Sequence, residues 1–199
     1  MKNKIIKDAL VLLAITLVSG VALGLVYEVT KDPIAQGQEK SKQEAYAAVF
    51  ADASFSADDK VTAKVNELGK TYDGATVDEV LAAKGSDGSV SGYVMSLTAK
   101  EGYGGVITLS MGIKADGTIT GLSVLEASET AGLGAKCKEP EWQAQFDVSK
   151  GKHGPNMEVV KGGGASETQI DAISGATITS KAITKAVNAG LKFVEELSK

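Results

Sequence analysis

Hydrophobic positions change their spacing along the chain, and each change predicts a different element. Residues 9–27 contain no charge over 19 positions, close to the roughly 20 apolar residues a helix needs to span a bilayer. Residues 30–43 are polar and include Pro33 and Gly37, so they read as a stalk or the start of a surface helix. Helical spacing returns at 44–50, and residues 53–59 look like a loop. From about Val61 short alternating runs separated by Gly and Asp predict strands and turns. Residues 91–98 read as one strand. In 106–114, Ile107, Leu109, Met111 and Ile113 alternate with Thr108, Ser110 and Gly112 and define one apolar face. Asp116-Gly117 supplies a pair that tolerates positive φ in a tight hairpin, and 118–125 returns as the partner strand. At the far end Ile183, Ala186, Val187, Gly190, Leu191, Val194 and Leu197 form one stripe of a terminal helix. The expected fold is α+β, an antiparallel sheet with flanking helices behind one amino-terminal transmembrane helix. The expected division is a cytoplasmic terminus at 1–8, an anchor at 9–27, a stalk and helical connector at 28–60, and an extracytoplasmic domain at 61–199.

Charge orients the anchor. Lys2, Lys4 and Lys7 precede the apolar run, and only Lys31 lies close behind it. Basic residues stay on the cytoplasmic side, which places the large domain outside. A cleaved signal peptide would have a shorter apolar run and a small-x-small cleavage site. Ala22-Leu23-Gly24 meets that need poorly, so the span reads as an uncleaved anchor. Setting aside residues 1–27, with three Lys and one Asp, leaves 18 basic against 24 acidic residues. Such a domain has no electrostatic hold on anionic lipid and needs its span or protein partners.

Composition narrows the chemistry. All 21 basic residues are Lys, so no guanidinium fork is available for phosphate and no basic patch points to nucleic acid. One cysteine, Cys137, and one histidine, His153, rule out an intrachain disulfide and leave little for a Cys/His zinc site. Cys137 reads as a free thiol, with an intermolecular role open. His153 reads as a solvated loop residue, and Trp142 after Pro140 reads as packing. Two glycine-rich stretches, Gly102-Tyr103-Gly104-Gly105 and Thr130-Ala131-Gly132-Leu133-Gly134, permit either plain turns or the close approach of a flat ligand. Neither is a P-loop or a dinucleotide fingerprint, because the flanking residues and elements are wrong.

The densest chemistry lies in DAISGATITS, residues 171–180, immediately before the terminal helix. Thr177, Thr179 or Ser180 could cap that helix, and a helix amino terminus also suits a phosphate. Asp171-Ala172-Ile173-Ser174-Gly175-Ala176-Thr177 resembles the flavinylation motif D-x-x-[ST]-G-A-T of the FMN-binding domain family. The hairpin GYGGVITLSMGIKADGTITGLSVLE and the loop SETAGLGAK resemble that family's elements in the same order, with Ala131 where proline is usual. The amino-terminal anchor and the length resemble the G subunit (RnfG) of Rnf ion-translocating electron-transport complexes.

The resemblance implies covalent FMN, joined by a phosphoester to Thr177 by a separate FAD- and Mg²⁺-dependent flavin transferase. Asp171, Ser174, Gly175 and Ala176 would form the recognition sequence, with Asp171 either activating the hydroxyl or positioning the segment. Glu129, Thr130, Leu133 and Gly134 would lie against the isoalloxazine ring. Tyr103 could stack on that ring or be an ordinary loop residue. The other Rnf subunits would be the partners of an electron relay between ferredoxin and NAD⁺ coupled to Na⁺ or H⁺ movement. No residue set for acid/base or nucleophilic catalysis stands beside the motif. A second GAT at Gly74-Ala75-Thr76 lacks the Ser or Thr before Gly and lacks the leading Asp, so Thr76 reads as loop. The competing readings are a stand-alone extracytoplasmic flavin reductase or the C subunit of a Na⁺-translocating quinone reductase, and a flavin-free anchored binding or sensor module.

Overall fold

The computed structural model describes residues 2–50, 53–85, 88–147, 154–166 and 168–197. His153, read above as a solvated residue, lies outside them. The chain divides into two compact units, Met1–Ser41 and Lys42–Lys199.

The first unit is helical. Helix α1 covers Lys2–Val49 and contains Pro33, so the polar stretch at 30–43, read as a stalk or the start of a surface helix, is helix throughout. Proline removes one backbone donor, and here the helix tolerates that loss. Its apolar run is exposed, with Leu12, Val18 and Leu23 each more than 60% accessible. By length and composition it is apolar enough to cross a membrane.

The second unit is the expected α+β domain. Strands β1 (Ser54–Ser56), β2 (Ala75–Lys84), β3 (Val90–Gly102), β4 (Gly105–Lys114) and β5 (Ile119–Ala127) form one sheet in chain order, with all neighbours antiparallel. The register Met95↔Met111↔Leu122 and Leu97↔Leu109↔Val124 puts the alternating apolar residues of three strands on one face. Helix α4 (Thr177–Leu197) covers that face. Its expected stripe is buried at Ile183, Ala186, Val187, Leu191 and Val194, with Leu197 packed at the edge. Gly190 sits where the helix crosses Met95 and Met111; a Cβ there would lie 2.5 Å from the Met111 methyl carbon.

Helix α2 (Asp59–Leu68) occupies the start of the region expected to be strands. The Asp58 side chain accepts from the N–H groups of Lys60 and Val61, a cap that starts a helix where the apolar spacing alone suggested alternation. Two three-residue strands, β6 (Glu158–Val160) and β7 (Gln169–Asp171), pair in parallel. Helix α3 (Pro140–Gln143) is flanked by 3₁₀ turns at Gly134–Lys138 and Ala144–Phe146.

The opposite face of the sheet is covered within the same unit by residues 42–50, read from the sequence as part of the connector. Tyr46, Val49 and Phe50 are buried there against Ala83 and Val94. The Tyr46 hydroxyl donates to Glu79 Oε2 at 2.8 Å, and Thr120 Oγ1 donates to the Val49 carbonyl. The approach depends on missing side chains: a Cβ on Gly112 would lie 2.5 Å from the Val49 carbonyl oxygen, and one on Gly121 3.1 Å from Val49 Cα. Gly112→Val is therefore expected to cost about 1–3 kcal/mol, the usual range for overpacking. A lowered urea midpoint of the detergent-solubilised protein checks this; an unchanged midpoint would mean that the helix end does not rest on this notch.

Candidate functional site

The site forms where three loops meet the amino end of α4. Ser174 and Gly175 make a turn, with the Ala176 N–H donating to the Ile173 carbonyl at 2.9 Å. Gly175 adopts φ +76°, a conformation that glycine takes without steric penalty. Thr177 is the first residue of α4, so its hydroxyl stands beside helix N–H groups that have no intrahelical acceptor. Ser180 holds the approach to the helix. Its buried Oγ accepts from the Ile173 N–H at 3.0 Å and donates to the Ala176 carbonyl at 3.0 Å. Of the three hydroxyls considered as caps, Ser180 makes this local brace.

Thr179 is committed to a distant partner. Its Oγ1 donates to Glu129 Oε2 at 2.8 Å, while Glu129 Oε1 accepts from the Gly104 N–H at 3.1 Å. One carboxylate therefore ties the β3–β4 turn, the loop after β5 and the first turn of α4 together. A Cβ on Gly134 would lie 2.5 Å from that carboxylate, and one on Gly104 2.0 Å from the Ser128 carbonyl oxygen. These glycines let segments of the chain approach one another. The loop at 130–134 turns through Gly132 at φ +75° and closes by Leu133 N–H and Ala135 N–H bonds to the Thr130 carbonyl, both 3.1 Å. Ala131 occupies the second turn position, where proline is accepted. Losing proline's rigidity there costs about 0.4–1 kcal/mol through the unfolded chain, and the turn still forms.

Two hollows share Gly175 and Thr177. The first, about 460 Å³, is walled by Glu129, Thr130, Leu133 and Gly134 on one side and residues 175–179 on the other, with Tyr103 at its edge. Its rim is apolar and open, since Tyr103, Ile178 and Leu133 are 70%, 53% and 42% accessible. The second, about 420 Å³, lies between Lys161, Gly162 and Gly163 and residues 172–175, with Thr177 on its wall. Glu129, Thr130, Leu133, Gly134, Gly175, Ala176 and Thr177 thus come together around the first hollow, and Ser174 faces the second. Asp171 lines neither. Ile178 and the Lys161-Gly162-Gly163 wall were not singled out in the sequence, and Thr179 was considered there only as a helix cap. For Ile178, its position beside Thr177 in the first turn of the helix was the one available clue.

The second GAT is built differently. Thr76 lies on β2 rather than in the loop its sequence suggested, 7% accessible, paired with Thr98. Its hydroxyl donates to Asp78 Oδ1 at 2.8 Å, and Asp78 Oδ2 accepts from Thr98 at 2.6 Å. Nearby, Lys185 meets Glu101 at 2.8 Å and Asp73 at 3.2 Å. These hydrogen bonds, Glu101's first, hold the lysine ammonium above its usual range. Thr76 lines neither hollow.

Cys137 is fully buried. Burial first, and the Glu129 carboxylate second, push its thiol pKa up, so the sulfur stays protonated at neutral pH and makes a poor nucleophile. An intermolecular role, left open by the sequence, would require an accessible sulfur. Trp142 packs as expected, at 8% accessibility. No group of three or more His, Cys, Asp or Glu side chains suited to a metal occurs among the described residues.

The arrangement fits a flat, partly apolar molecule lying against the amino end of α4. The first hollow falls within the roughly 300–1,000 Å³ of small-molecule sites and offers apolar walls with few polar groups. Residues 102–192 match the FMN-binding domain family, and residues 1–49 match the RnfG N-terminal region. The chain is 34% identical over 197 residues to the G subunit of the ion-translocating oxidoreductase complex of Methanosarcina acetivorans, covering 96% of this chain and 95% of that protein. It is 33% identical over 177 residues to the G subunit of the proton-translocating ferredoxin:NAD(+) oxidoreductase complex of Clostridium ljungdahlii, covering 89% and 84%. Over 115 residues it is 41% identical to the G subunit of the Na(+)-translocating ferredoxin:NAD(+) oxidoreductase complex of Acetobacterium woodii, a match spanning 57% of this chain and 54% of that protein.

Proposed function

The chain belongs to the RnfG family, the G subunits of ion-translocating oxidoreductase complexes, and from that premise we propose that it is a membrane-anchored electron relay bearing FMN on Thr177. The observation that carries this reading is the position of Thr177, first residue of α4 and common wall of both hollows. Attachment forms a bond from Thr177 Oγ to the flavin-side phosphorus of FAD. The pyrophosphate P–O bond breaks, AMP leaves, and the hydroxyl proton is lost. A separate Mg²⁺-dependent flavin transferase performs this step. The flavin, once bound, supplies the redox chemistry.

The chain's own residues hold and surround it. The amino end of α4 offers N–H groups and a positive dipole end to the phosphoryl group. Leu133, Ile178 and Tyr103 present apolar surface to the ring, and Glu129 keeps their three segments in register through Thr179 and Gly104. The tether makes occupancy independent of free FMN, an advantage outside the cytoplasm, where released cofactor would diffuse away. The lysines before the apolar run support that orientation for the domain.

In the assembled complex, the protein would accept and pass on electrons between ferredoxin and NAD⁺ while its neighbours move Na⁺ or H⁺. One similar protein is named as a subunit of a Na⁺-translocating complex and another of a proton-translocating one. Peptide mapping of protein purified from its native membrane tests the reading. The fragment containing residues 162–181 is expected to carry the mass of a flavin mononucleotidyl group. An unmodified fragment in fully assembled material would refute covalent attachment.

A further inference from the structure

Asp171 begins the flavinylation motif, and two roles are open to it: accepting the Thr177 proton during attachment, or bracing the segment. On the reading that Thr177 bears the flavin, we infer that Asp171 is a positioning residue that works as a hydrogen-bond acceptor and needs no charge. Asp171 lines neither hollow, whereas Thr177 lines both. The backbone N–H and carbonyl of Asp171 and its carboxylate Oδ1 are all engaged inside the domain. Its N–H donates to Gln145 Oε1 at 2.8 Å. Its carbonyl accepts from Trp142 Nε1 at 3.0 Å and from Gln145 Nε2 at 3.4 Å. Its carboxylate Oδ1 accepts from the Ala165 N–H at 3.2 Å.

That last bond has a specific consequence. Ala165 follows Gly162, Gly163 and Gly164, whose φ values are +97°, +80° and +83°. Glycine reaches this region cheaply but loses the most backbone freedom on ordering, so three in a row need an anchor. The Asp171 carboxylate provides one at the loop's end. Gly162 and Gly163 in turn wall the second hollow opposite Ser174, Gly175 and Thr177. The chain from Asp171 to Thr177 is pinned along the way by Ala172 N–H to the Val160 carbonyl at 2.8 Å and by Ile173 N–H to Ser180 Oγ. Asp171 therefore sets the end of a braced segment and the opposite wall at once. An amide oxygen at the same place accepts the same Ala165 bond.

The test measures the initial rate of flavin loading of the full-length chain by a flavin transferase with FAD and Mg²⁺, read as flavin fluorescence per protein on a denaturing gel. Asp171→Asn is expected to load within about twofold of wild type, and Asp171→Ala to fall about tenfold, the scale of one lost hydrogen bond. A loss of about 100-fold or more in Asp171→Asn is the signature of a missing proton acceptor and overturns the inference. So does wild-type loading in Asp171→Ala. The Asn variant is isosteric, so it decides the question even where the Ala variant does not fold. A wild-type chain that takes up no flavin overturns the attachment itself, and this inference with it; loaded wild type beside unloaded Asp171→Asn overturns the inference alone.

Discussion

Thr177→Ala is expected to abolish the yellow-green fluorescence of the denatured protein band, while Thr76→Ala leaves it unchanged. The two threonines share the preceding Gly-Ala pair, but Ser174 and Asp171 stand before one pair where Asp73 and Lys70 stand before the other. Their surroundings separate them further. Thr177 begins a helix and faces two hollows, whereas Thr76 is locked near the start of β2 with its hydroxyl on Asp78. The Thr177 substitution should spare the fold, because threonine and alanine differ by no more than about 0.7 kcal/mol in helix propensity. The missing hydroxyl then accounts for the loss. Thr177→Ser, which keeps the oxygen, separates chemistry from shape and should recover some loading. Fluorescence that persists in Thr177→Ala but vanishes in Thr76→Ala would transfer the site to the strand.

Phe146→Ala carries the largest expected cost in stability, about 3–5 kcal/mol for a buried aromatic. Phe146 is fully buried and meets Trp142 edge to face, with centroids 5.3 Å apart and planes at 74°. Trp142 is also the donor to the Asp171 carbonyl. The lost ring therefore removes packing from the very group that holds the start of the motif, and the effect should reach beyond stability. Denaturant unfolding should show the lower midpoint. At temperatures where the variant remains folded, flavin loading should also fall. A large drop in midpoint with wild-type loading would mean that the aromatic pair supports the core but not the motif. Phe146→Leu, which keeps most of the volume, should recover much of both.

What the sequence made legible follows from the range of each interaction. Helix α4 and the β4–β5 hairpin were plain, because their buried faces repeat at periods of 3.6 and 2 over long stretches. Asp116-Gly117 marked the turn between those strands, and Gly117 indeed takes φ +87°. Helix α2 was obscured because it is short and largely polar, with only Val61 buried; its real signal was the capping residue Asp58. Strand β1 has three residues, too few for a period, and pairs with the far end of β2. Residues 42–50 were read as connector, since nothing nearby announced that Gly112 and Gly121, over sixty positions later, would leave room for them. Around the site, the motif and the 129–134 loop were recognisable as local strings. The bonds that assemble them were not. Thr179 reaches Glu129, fifty residues away, and Gln145 and Trp142 grip the Asp171 backbone across 26 and 29. Side chain to backbone contacts at such separations leave no periodic trace.

The sealed Cys137 sulfur has a practical corollary. Intermolecular disulfides form when a thiolate on one molecule attacks a sulfur on another, and here the sulfur is both protonated and inaccessible. The domain can meet an oxidising medium without becoming cross-linked to its neighbours. It also offers experimenters a silent background: a cysteine engineered at any open position can take a spin label or dye while the native one stays unlabelled.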